Sequence, residues 1–259
     1  MVTTPKTSLL IVSVDLNSAK TQQNTTFASD IRRVSSRLVK LFNKYNVPST
    51  WAVNDPGREF QTSMLSGESE GHEVALDGRS IWPDPKISRA SFAGELQKSI
   101  HRANQCELDI RSVIGVDVAN ENTDLLVKHD IAALKGRKVH TGRSVDWTAP
   151  QQIRFGVWNI SESARFPFAK SWIRDSGSSR YIRMIRQASA QRKTFHLVVD
   201  MERVAESEST YLHALEGILD GAARYERMGQ ITSTTLSGSV KHLSRRPTVQ
   251  SARSVLRAA

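Results

Sequence analysis

The sequence predicts an α/β protein built around a parallel sheet. Short apolar runs rich in β-branched residues alternate with longer segments of helical periodicity, which is the pattern of successive βαβ units. The chain has 259 residues, of which 39% are hydrophobic and 24% are charged, and this is enough for one domain with a large core. One domain is therefore expected over residues 1–245, followed by a basic C-terminal tail at 246–259.

Six segments are predicted to be strands, because they are short, apolar and bounded by polar or turn residues. They are Leu9–Val14, Ser49–Val53, Glu73–Leu76, Ser112–Val116, Lys138–Thr141 and His196–Val199. In a parallel sheet the carboxyl ends of the strands lie at one edge, and α/β proteins place their binding sites there.

Four longer segments are predicted to be helices because their apolar residues recur at helical spacing. They are Ile31–Tyr45, Ser91–Cys106, Asn122–Leu134 and Thr210–Met228. Asp30 is the predicted N-cap of the first helix. The second is predicted to begin at Ser91, with a glutamate four residues further on, and Gly229 ends the last.

Composition narrows the range of functions. The formal charge of +10 favours contact with anions such as nucleic acid, phosphorylated sugars or a membrane surface, although a solvated basic surface is the alternative. The single cysteine, Cys106, excludes an internal disulfide and a cysteine-based zinc site, and is expected to be a small buried hydrophobe. The first apolar run, Leu9–Val12, is too short for a signal peptide or a membrane span, which predicts a cytoplasmic protein.

The order of the elements, read with their motifs, resembles the polysaccharide deacetylase family, which shares the NodB homology domain. The resemblance rests on LLIVSVDLNS, NKYNVPSTWAV, GHEVALDG, FHLVVDM and GQITSTTLSGSVKHL, and it covers most of the chain. It implies an incomplete (β/α)7 barrel of the NodB or glycoside hydrolase/deacetylase type, with chemistry at the C-terminal strand ends. Members of the family typically hydrolyse N-acetyl or O-acetyl groups on sugars. They use a divalent metal held by one Asp and two His, an Asp as base and a late His as acid.

Most of these motif positions are changed in this sequence. The adjacent acids expected after the first strand are Asp15 and Leu16, so the base position remains and a metal ligand is lost. Asp77 and Ile81 stand where the resemblance implies the two histidines, and Asp200 stands at the late histidine. The Arg-x-Pro motif is absent from SVIGVDVANEN. One potential ligand remains of three, so metal-dependent deacetylation is predicted to be lost and no cofactor is expected.

Four carboxylates nevertheless follow predicted strands: Asp15, Asp77, Asp117 and Asp200. If they share one mouth they repel one another unless a cation intervenes, such as Mg²⁺, Ca²⁺ or a cationic amino sugar. The alternative is that they cap helices or pair with arginines such as Arg79, Arg111 or Arg154. As candidate catalytic positions, vestigial or remodelled, Asp15, Asp77 and Asp200 are expected at the same end of the barrel, with Leu16 and Ile81 beside them.

The histidines add no second metal signature. His72 precedes the third strand and is interpreted as a structural residue at the opposite end of the barrel. No His-x-x-x-His or Cys-x-x-Cys pair occurs in the sequence. The other histidines apart from His196 are isolated: His101, His129, His140, His213 and His242.

The segment from Arg165 to Lys193 is strongly basic, with eight Lys or Arg residues against one acid, Asp175. Four aromatic residues lie among these cations: Phe166, Phe168, Trp172 and Tyr181. Such a mixture can hold phosphates by ion pairing and rings by stacking, and the candidate anion-binding residues are Arg180, Arg183 and Arg186. The alternative is an amphipathic helix with a solvated basic face, since Tyr181, Ile182, Ile185 and Ala188 have helical spacing.

Two functions therefore stay open. The first is a deacetylase-like protein without metal hydrolysis that serves as a binding or regulatory module for a carbohydrate or another anionic partner, nucleic acid included. The alternative is a divergent hydrolase of C–N or ester bonds on a sugar, with Asp15 as base and a divalent metal held by unconventional ligands. An anionic polymer is expected to bind the basic segment and the C-terminal arginines, because four acids in the mouth would repel phosphate.

Overall fold

The computed structural model describes residues 7–16, 25–56, 71–82, 87–118, 120–136, 145, 147–167 and 177–244. The strands in these residues are β1 Ser8–Asp15, β2 Ser49–Val53, β3 Glu73–Asp77, β4 Ser112–Ile114, β5 Ala133–Lys135, β6 Gln151–Gln152, β7 Trp158–Asn159, β8 Ala164–Phe166, β9 Thr194–Asp200 and β10 Ile231–Thr234. The α-helices are α1 Thr25–Lys44, α2 Gly78–Ile81, α3 Arg89–Gln105, α4 Thr123–Lys128, α5 Gly177–Gln191, α6 Met201–Glu206, α7 Glu208–Arg227 and α8 Leu236–Leu243. Short 3₁₀ turns occupy Asn120–Asn122 and Arg154–Gly156.

The strands form one sheet in the order β6-β7-β5-β4-β3-β2-β1-β9-β8, and β10 also pairs with β1. Every pairing is parallel except that of β6 with β7. The sheet curves into a half-barrel with helices around it, which confirms the predicted incomplete (β/α) barrel. No helix in the described part of the chain is long and apolar enough to cross a membrane.

Strand β1 lies at the centre of the sheet. Its first half pairs with β10, its second half pairs with β2, and its other edge pairs with β9. Its side chains alternate between two apolar clusters. Leu10, Val12 and Val14 belong to the outer core between sheet and helices, whereas Leu9 and Ile11 belong to a smaller cluster inside the half-barrel.

Helix α8 covers the end of the half-barrel at which the strands begin. Leu236 and Leu243 enter the inner cluster. The buried carboxylate of Glu73 accepts a hydrogen bond from the backbone N–H of Ser237 at 3.0 Å and others from the hydroxyls of Thr50 and Ser112. Helix α8 thus closes the inner cluster at the end where the strands begin, and the carboxylate of Glu73 holds the first turn of this helix.

His72 has the structural role that was predicted, at the amino end of β3. Its Nδ1 accepts a hydrogen bond from the backbone N–H of Ser49 at 3.2 Å, and its Nε2 lies 2.8 Å from Oδ1 of Asn43. Burial lowers the pKa of this ring. Cys106 departs from expectation, because it follows α3 in a half-buried position.

The predicted helix over Asn122–Leu134 is wrong at its C-terminal half. The helix ends at Lys128, Asp130 adopts a left-handed backbone with φ of 57°, and residues Ala133–Lys135 form β5. Burial between β4 and β7 outweighs the helical pattern there, since strand formation places Ala133 and Leu134 in the core. The predicted strand Lys138–Thr141 and the tail at 246–259 lie outside the described residues.

Two predicted helix caps are also wrong. Helix α1 begins at Thr25, so Asp30 lies inside it and pairs with Arg33 at 3.1 Å. Helix α3 is capped by Ser88, whose hydroxyl accepts from the backbone N–H of Ser91. In both cases the helix extends further towards its N-terminus than its apolar face indicates.

The fold predicts opposite responses to alanine at two helical glycines. At Gly221 an added Cβ would lie 2.8 Å from Cγ1 of Ile182 on α5, whereas at Gly94 on α3 it would meet nothing within 4 Å. We expect Gly94→Ala to raise the free energy of unfolding by up to about 1 kcal/mol. Gly221→Ala should lower it, because overpacking of about 1–3 kcal/mol exceeds the helical gain. Denaturant unfolding measures both, and equal stabilisation by the two changes would contradict this packing of α5 on α7.

Candidate functional site

The carboxyl ends of the strands bring Asp15, Asp77 and Asp200 together. Asp15 ends β1 and lies beside Asp200 of β9 in register. Asp77 ends β3 and caps α2, and Asp200 caps α6. The three candidate residues therefore lie at the same end of the half-barrel, which we call the mouth, while Asp117 is exposed beyond the end of β4.

Arg79 bridges two of these carboxylates. Its Nη1 donates to Oδ2 of Asp15 at 2.8 Å, its Nε donates to Oδ1 of Asp77 at 3.0 Å, and its Nη2 donates to both carboxylates. Asp15 and Asp77 are 2% and 1% exposed. Among the arginine partners considered from the sequence, Arg79 is thus the one at the mouth, whereas Arg111 pairs with Asp109.

Arg165 is the second cation of the mouth. Its Nη1 donates to Oδ2 of Asp15 at 3.1 Å and lies 3.6 Å from Oδ2 of Asp200. Its Nε and Nη2 donate to the two carboxylate oxygens of Glu162 at 3.0 and 2.8 Å. Sequence analysis assigned Arg165 to a basic surface segment, and this was wrong because the short strand β8 directs its side chain into the half-barrel.

A buried ion pair extends the network. Nζ of Lys135 lies 3.1 Å from Oε2 of Glu162, and both side chains are 1% exposed. Lys135 ends β5, one strand beyond β4 in the sheet. The carboxylate of Glu162 therefore joins Lys135 to Arg165, and through it to Asp15.

The mouth does not carry an excess of acidic side chains over basic ones. Its four carboxylates belong to Asp15, Asp77, Glu162 and Asp200, and its four cations belong to Arg79, Lys135, Arg165 and Arg203, the last 3.6 Å from Asp200. The expected excess of acid at the mouth, from which repulsion of phosphate was predicted, is therefore wrong. Ion pairing with arginines, the alternative considered from the sequence, describes Asp15 and Asp77.

These contacts control the proton affinity of Asp15. Burial alone would raise the pKa of this carboxyl, but Arg79, Lys135 and Arg165 lower it to about 2. Burial likewise opposes the charge of Glu162, and Lys135 with Arg165 brings its pKa below its usual range. Both groups are carboxylates at neutral pH and bind protons weakly.

The two residues that replace family metal ligands contribute apolar packing. Leu16 is 5% exposed and belongs to the outer core, and Ile81 packs partly buried against the same core. Leu16 does not face the mouth as expected. Among the residues that the structure describes, no group of three His, Cys, Asp or Glu side chains is arranged to hold a metal ion.

A neutral histidine lies beneath the ionised layer. Nε2 of His196 is 2.8 Å from the hydroxyl of Ser13, and both residues are buried. Burial, with a further effect of Lys135, lowers the pKa of His196 to about 4. The ring is thus uncharged at neutral pH and forms part of the interior.

In the described part of the predicted basic segment, some side chains are exposed and others are buried in the core. Arg180, Arg183 and Arg186 lie on α5, and the last two are exposed. Phe166 and Tyr181 are 2% and 1% exposed, with ring centroids 5.4 Å apart, so these aromatic rings belong to the core and cannot stack on a ligand. Phe168 and Trp172 lie outside the described residues.

Comparison with known proteins shows the fold. No family model and no curated protein matches the sequence. A candidate polysaccharide deacetylase from Mycobacterium smegmatis is similar in structure, with a TM-score of 0.70, 12% identity and 94% of each chain covered. A candidate glycoside hydrolase/deacetylase from Parabacteroides distasonis gives 0.61 at 11% identity, covering 92% of this chain and 72% of that one.

A third similar structure is a mutant of a CE4 family pseudoenzyme from Bacillus anthracis with restored enzymatic activity. Its TM-score is 0.51 at 11% identity, and the match covers 91% of this chain and 68% of that one. The chain therefore has the fold of NodB-type polysaccharide deacetylases, as the sequence resemblance implied.

Sequence reasoning missed Lys135 and Glu162. The signal for Lys135 was a lysine after two apolar residues at the end of a short run, which is where the acids of neighbouring strands also stand. Its strand had been assigned to a helix, so its position was not recognised. Glu162 precedes the short strand β8, and no sequence pattern distinguishes it from a surface glutamate.

Removing the bridging cation should destabilise the protein strongly. Arg79→Met leaves Asp15 and Asp77 buried without their shared partner, and we expect a loss of about 3–5 kcal/mol in the free energy of unfolding. Arg111→Met is the matched control, because its carboxylate partner Asp109 is exposed, and it should cost less than about 1 kcal/mol. Similar losses in the two variants by denaturant unfolding would contradict the bridging role.

The neutral histidine predicts acid sensitivity. Because the folded pKa of His196 is below its unfolded value, the folded state binds fewer protons, and stability is lost as pH falls from about 6.5 to about 4. Asp15 adds a loss at lower pH, as pH falls from its ordinary pKa towards about 2. We expect His196→Gln to reduce the loss between pH 7 and pH 4 by about 2–3 kcal/mol. Unfolding measured across this range tests it, with exposed His101→Gln as the control that should keep the wild-type slope.

Proposed function

We propose that this chain is a deacetylase-like protein without metal-dependent deacetylase activity, which acts as a binding or regulatory module for a carbohydrate or another anionic ligand. The observation that carries the proposal is the guanidinium of Arg79 between Asp15 and Asp77. These are the positions at which the family resemblance implies a base and a metal ligand. Here an internal cation already pairs with both.

A metal ion would have to compete with this arginine. Arg79 donates to all four carboxylate oxygens of Asp15 and Asp77, and its planar fork of donors suits paired carboxylates better than a point charge does. The neighbouring motif positions supply Leu16 and Ile81, which have no ligand atom. This arrangement favours an arginine-filled mouth over a catalytic zinc site, which needs several strong ligands and an open position.

The ion pairs also argue against the alternative hydrolase with Asp15 as base. A general base works best when its pKa is near the operating pH, and the pKa of Asp15 is lowered to about 2. Both of its oxygens already accept hydrogen bonds from arginine. The side chain is therefore suited to holding strands together and poorly suited to taking a proton from water.

Ligand binding is supported by the groups that reach solvent at the mouth. Arg79 and Asp200 are 24% and 19% exposed as side chains, so a donor and an acceptor are available together. Such a pair can accept and donate hydrogen bonds to sugar hydroxyls. The cytoplasmic location expected from the sequence stays a prediction.

Metal content and hydrolysis test this proposal. We expect the purified protein to contain less than stoichiometric divalent metal by mass spectrometry, and to release no acetate from N-acetylated chito-oligosaccharides with or without added Zn²⁺. Asp15→Asn should behave in the same way. Stoichiometric metal together with acetate release that Asp15→Asn reduces by about 10²-fold or more would overturn the proposal in favour of the hydrolase.

A further inference from the structure

Helix α5 carries three arginines and no acid. Of these, Arg183 and Arg186 are exposed, as is Arg192 just beyond the helix. The opposite face is apolar, with Tyr181, Met184, Ile185 and Ala188 buried. The buried face explains how α5 packs, and the side chains of Arg183 and Arg186 lie on the exposed side of the helix.

The exposed arginines of α5 differ from several on other helices, which pair with acids. On α1, Arg33 and Arg37 pair with Glu208 at 2.9 and 2.5 Å, and on α3 Arg89 pairs with Asp124 at 2.6 Å. Within the part of the chain that the structure describes, the side chains of Arg183, Arg186 and Arg192 have no hydrogen bond or ion pair. Their charge is therefore uncompensated by any acid among the described residues.

The C-terminal end of α7 extends this basic surface. The hydroxyl of Ser189 on α5 lies 3.5 Å from the carbonyl oxygen of Gln230, which follows α7. The last turns of the two helices thus lie side by side, and α7 adds Arg227 and the 57% exposed side chain of Met228. Arg183 and Arg186 lie about one turn apart on the exposed side of α5, and Arg192 follows the end of the helix, where its backbone N–H donates to the carbonyl oxygen of Ser189.

A hollow of about 340 Å³ lies between the two helices, lined by Ile182, Gly217, Asp220, Gly221, Arg224, Tyr225 and Met228. Asp220 and Arg224 pair with each other at 2.5 Å, so they add no net charge to it. Its remaining side chains are apolar or aromatic, and its size is near the lower end for small-ligand sites. A flat ring fits such a hollow better than a hydrated polar group does.

We infer that the α5–α7 surface binds single-stranded nucleic acid, with phosphates on Arg183, Arg186 and Arg192 and a base against Tyr225 and Met228 in the hollow. Proteins that bind single strands combine unpaired arginines, which attract the phosphates, with aromatic rings, on which the bases stack. A planar anionic membrane would not enter a concave hollow. An acidic polysaccharide would leave its apolar lining unused.

This inference rests on the proposed function, since it identifies the anionic ligand of the module, and it assigns that ligand to a surface other than the mouth. The mouth holds four cations against four carboxylates. Among the described residues no carboxylate pairs with Arg183, Arg186 or Arg192, so the electrostatic attraction of a polyanion is assigned to these three side chains.

Fluorescence anisotropy with a labelled single-stranded RNA of mixed sequence tests the inference. If the three arginines contact one phosphate each, affinity should fall about 20-fold between about 50 mM and about 200 mM salt. Changing Arg183, Arg186 and Arg192 together to Gln should weaken binding at least about tenfold at low salt and flatten the salt dependence. Tyr225→Leu, which keeps apolar bulk and removes the ring, should weaken binding about fivefold or more.

The matched control changes Arg32, Lys40 and Arg154 together to Gln, since these exposed cations lie outside α5 and α7 and the total charge change is equal. It should retain nearly wild-type affinity. Equal losses in the two triple variants, or no RNA binding at low salt, would overturn the inference. The inference would also be overturned if the protein bound phosphatidylserine vesicles but not RNA, and if the α5 triple variant lost that vesicle binding. None of these outcomes changes metal content or acetate release, so a failure here is distinct from a failure of the proposed function.

Discussion

The bridge from Arg79 to Asp15 and Asp77 is the interaction on which the mouth of this half-barrel depends. Two buried carboxylates at the ends of β1 and β3, the strands on either side of β2, repel each other, and each loses hydration when it is buried. A single guanidinium compensates both, because it presents five donors in one plane. The same contact joins the end of β1 to the end of β3, and Arg165 joins Asp15 to Glu162 and Asp200.

The rest of the interior is arranged in layers below that bridge. Ionised groups lie at the mouth, the neutral pair of Ser13 and His196 lies beneath them, and an apolar cluster with α8 fills the opposite end. The carboxylates that pair with arginine thus lie at the mouth, whereas the buried carboxylate of Glu73 at the opposite end is held by hydrogen bonds. Fold alone does not decide activity. In this half-barrel the acidic side chains at the strand ends form ion pairs. Among the described residues, exposed arginines without an acidic partner lie on the outer helices.

The strands were the most predictable part of the fold. β1, β2, β3, β4 and β9 were recognised because buried strands of a parallel sheet are short apolar runs. β5 was not recognised, since its three residues continue the helical pattern of the preceding segment and only pairing with β4 makes them a strand. The caps of α1 and α3 failed for a related reason, because a helix can extend beyond its apolar face.

By itself, the sequence determined the α/β class, the barrel type, the meeting of Asp15, Asp77 and Asp200, and the loss of the metal-ligand pattern. These follow from local periodicity and from the identity of residues at strand ends. Only the tertiary structure decided that the mouth is electrically balanced and that Arg165 belongs to it. The reason is that ion pairing depends on side chains from β3, β5 and β8 converging across the sheet, and no spacing along the chain records that convergence.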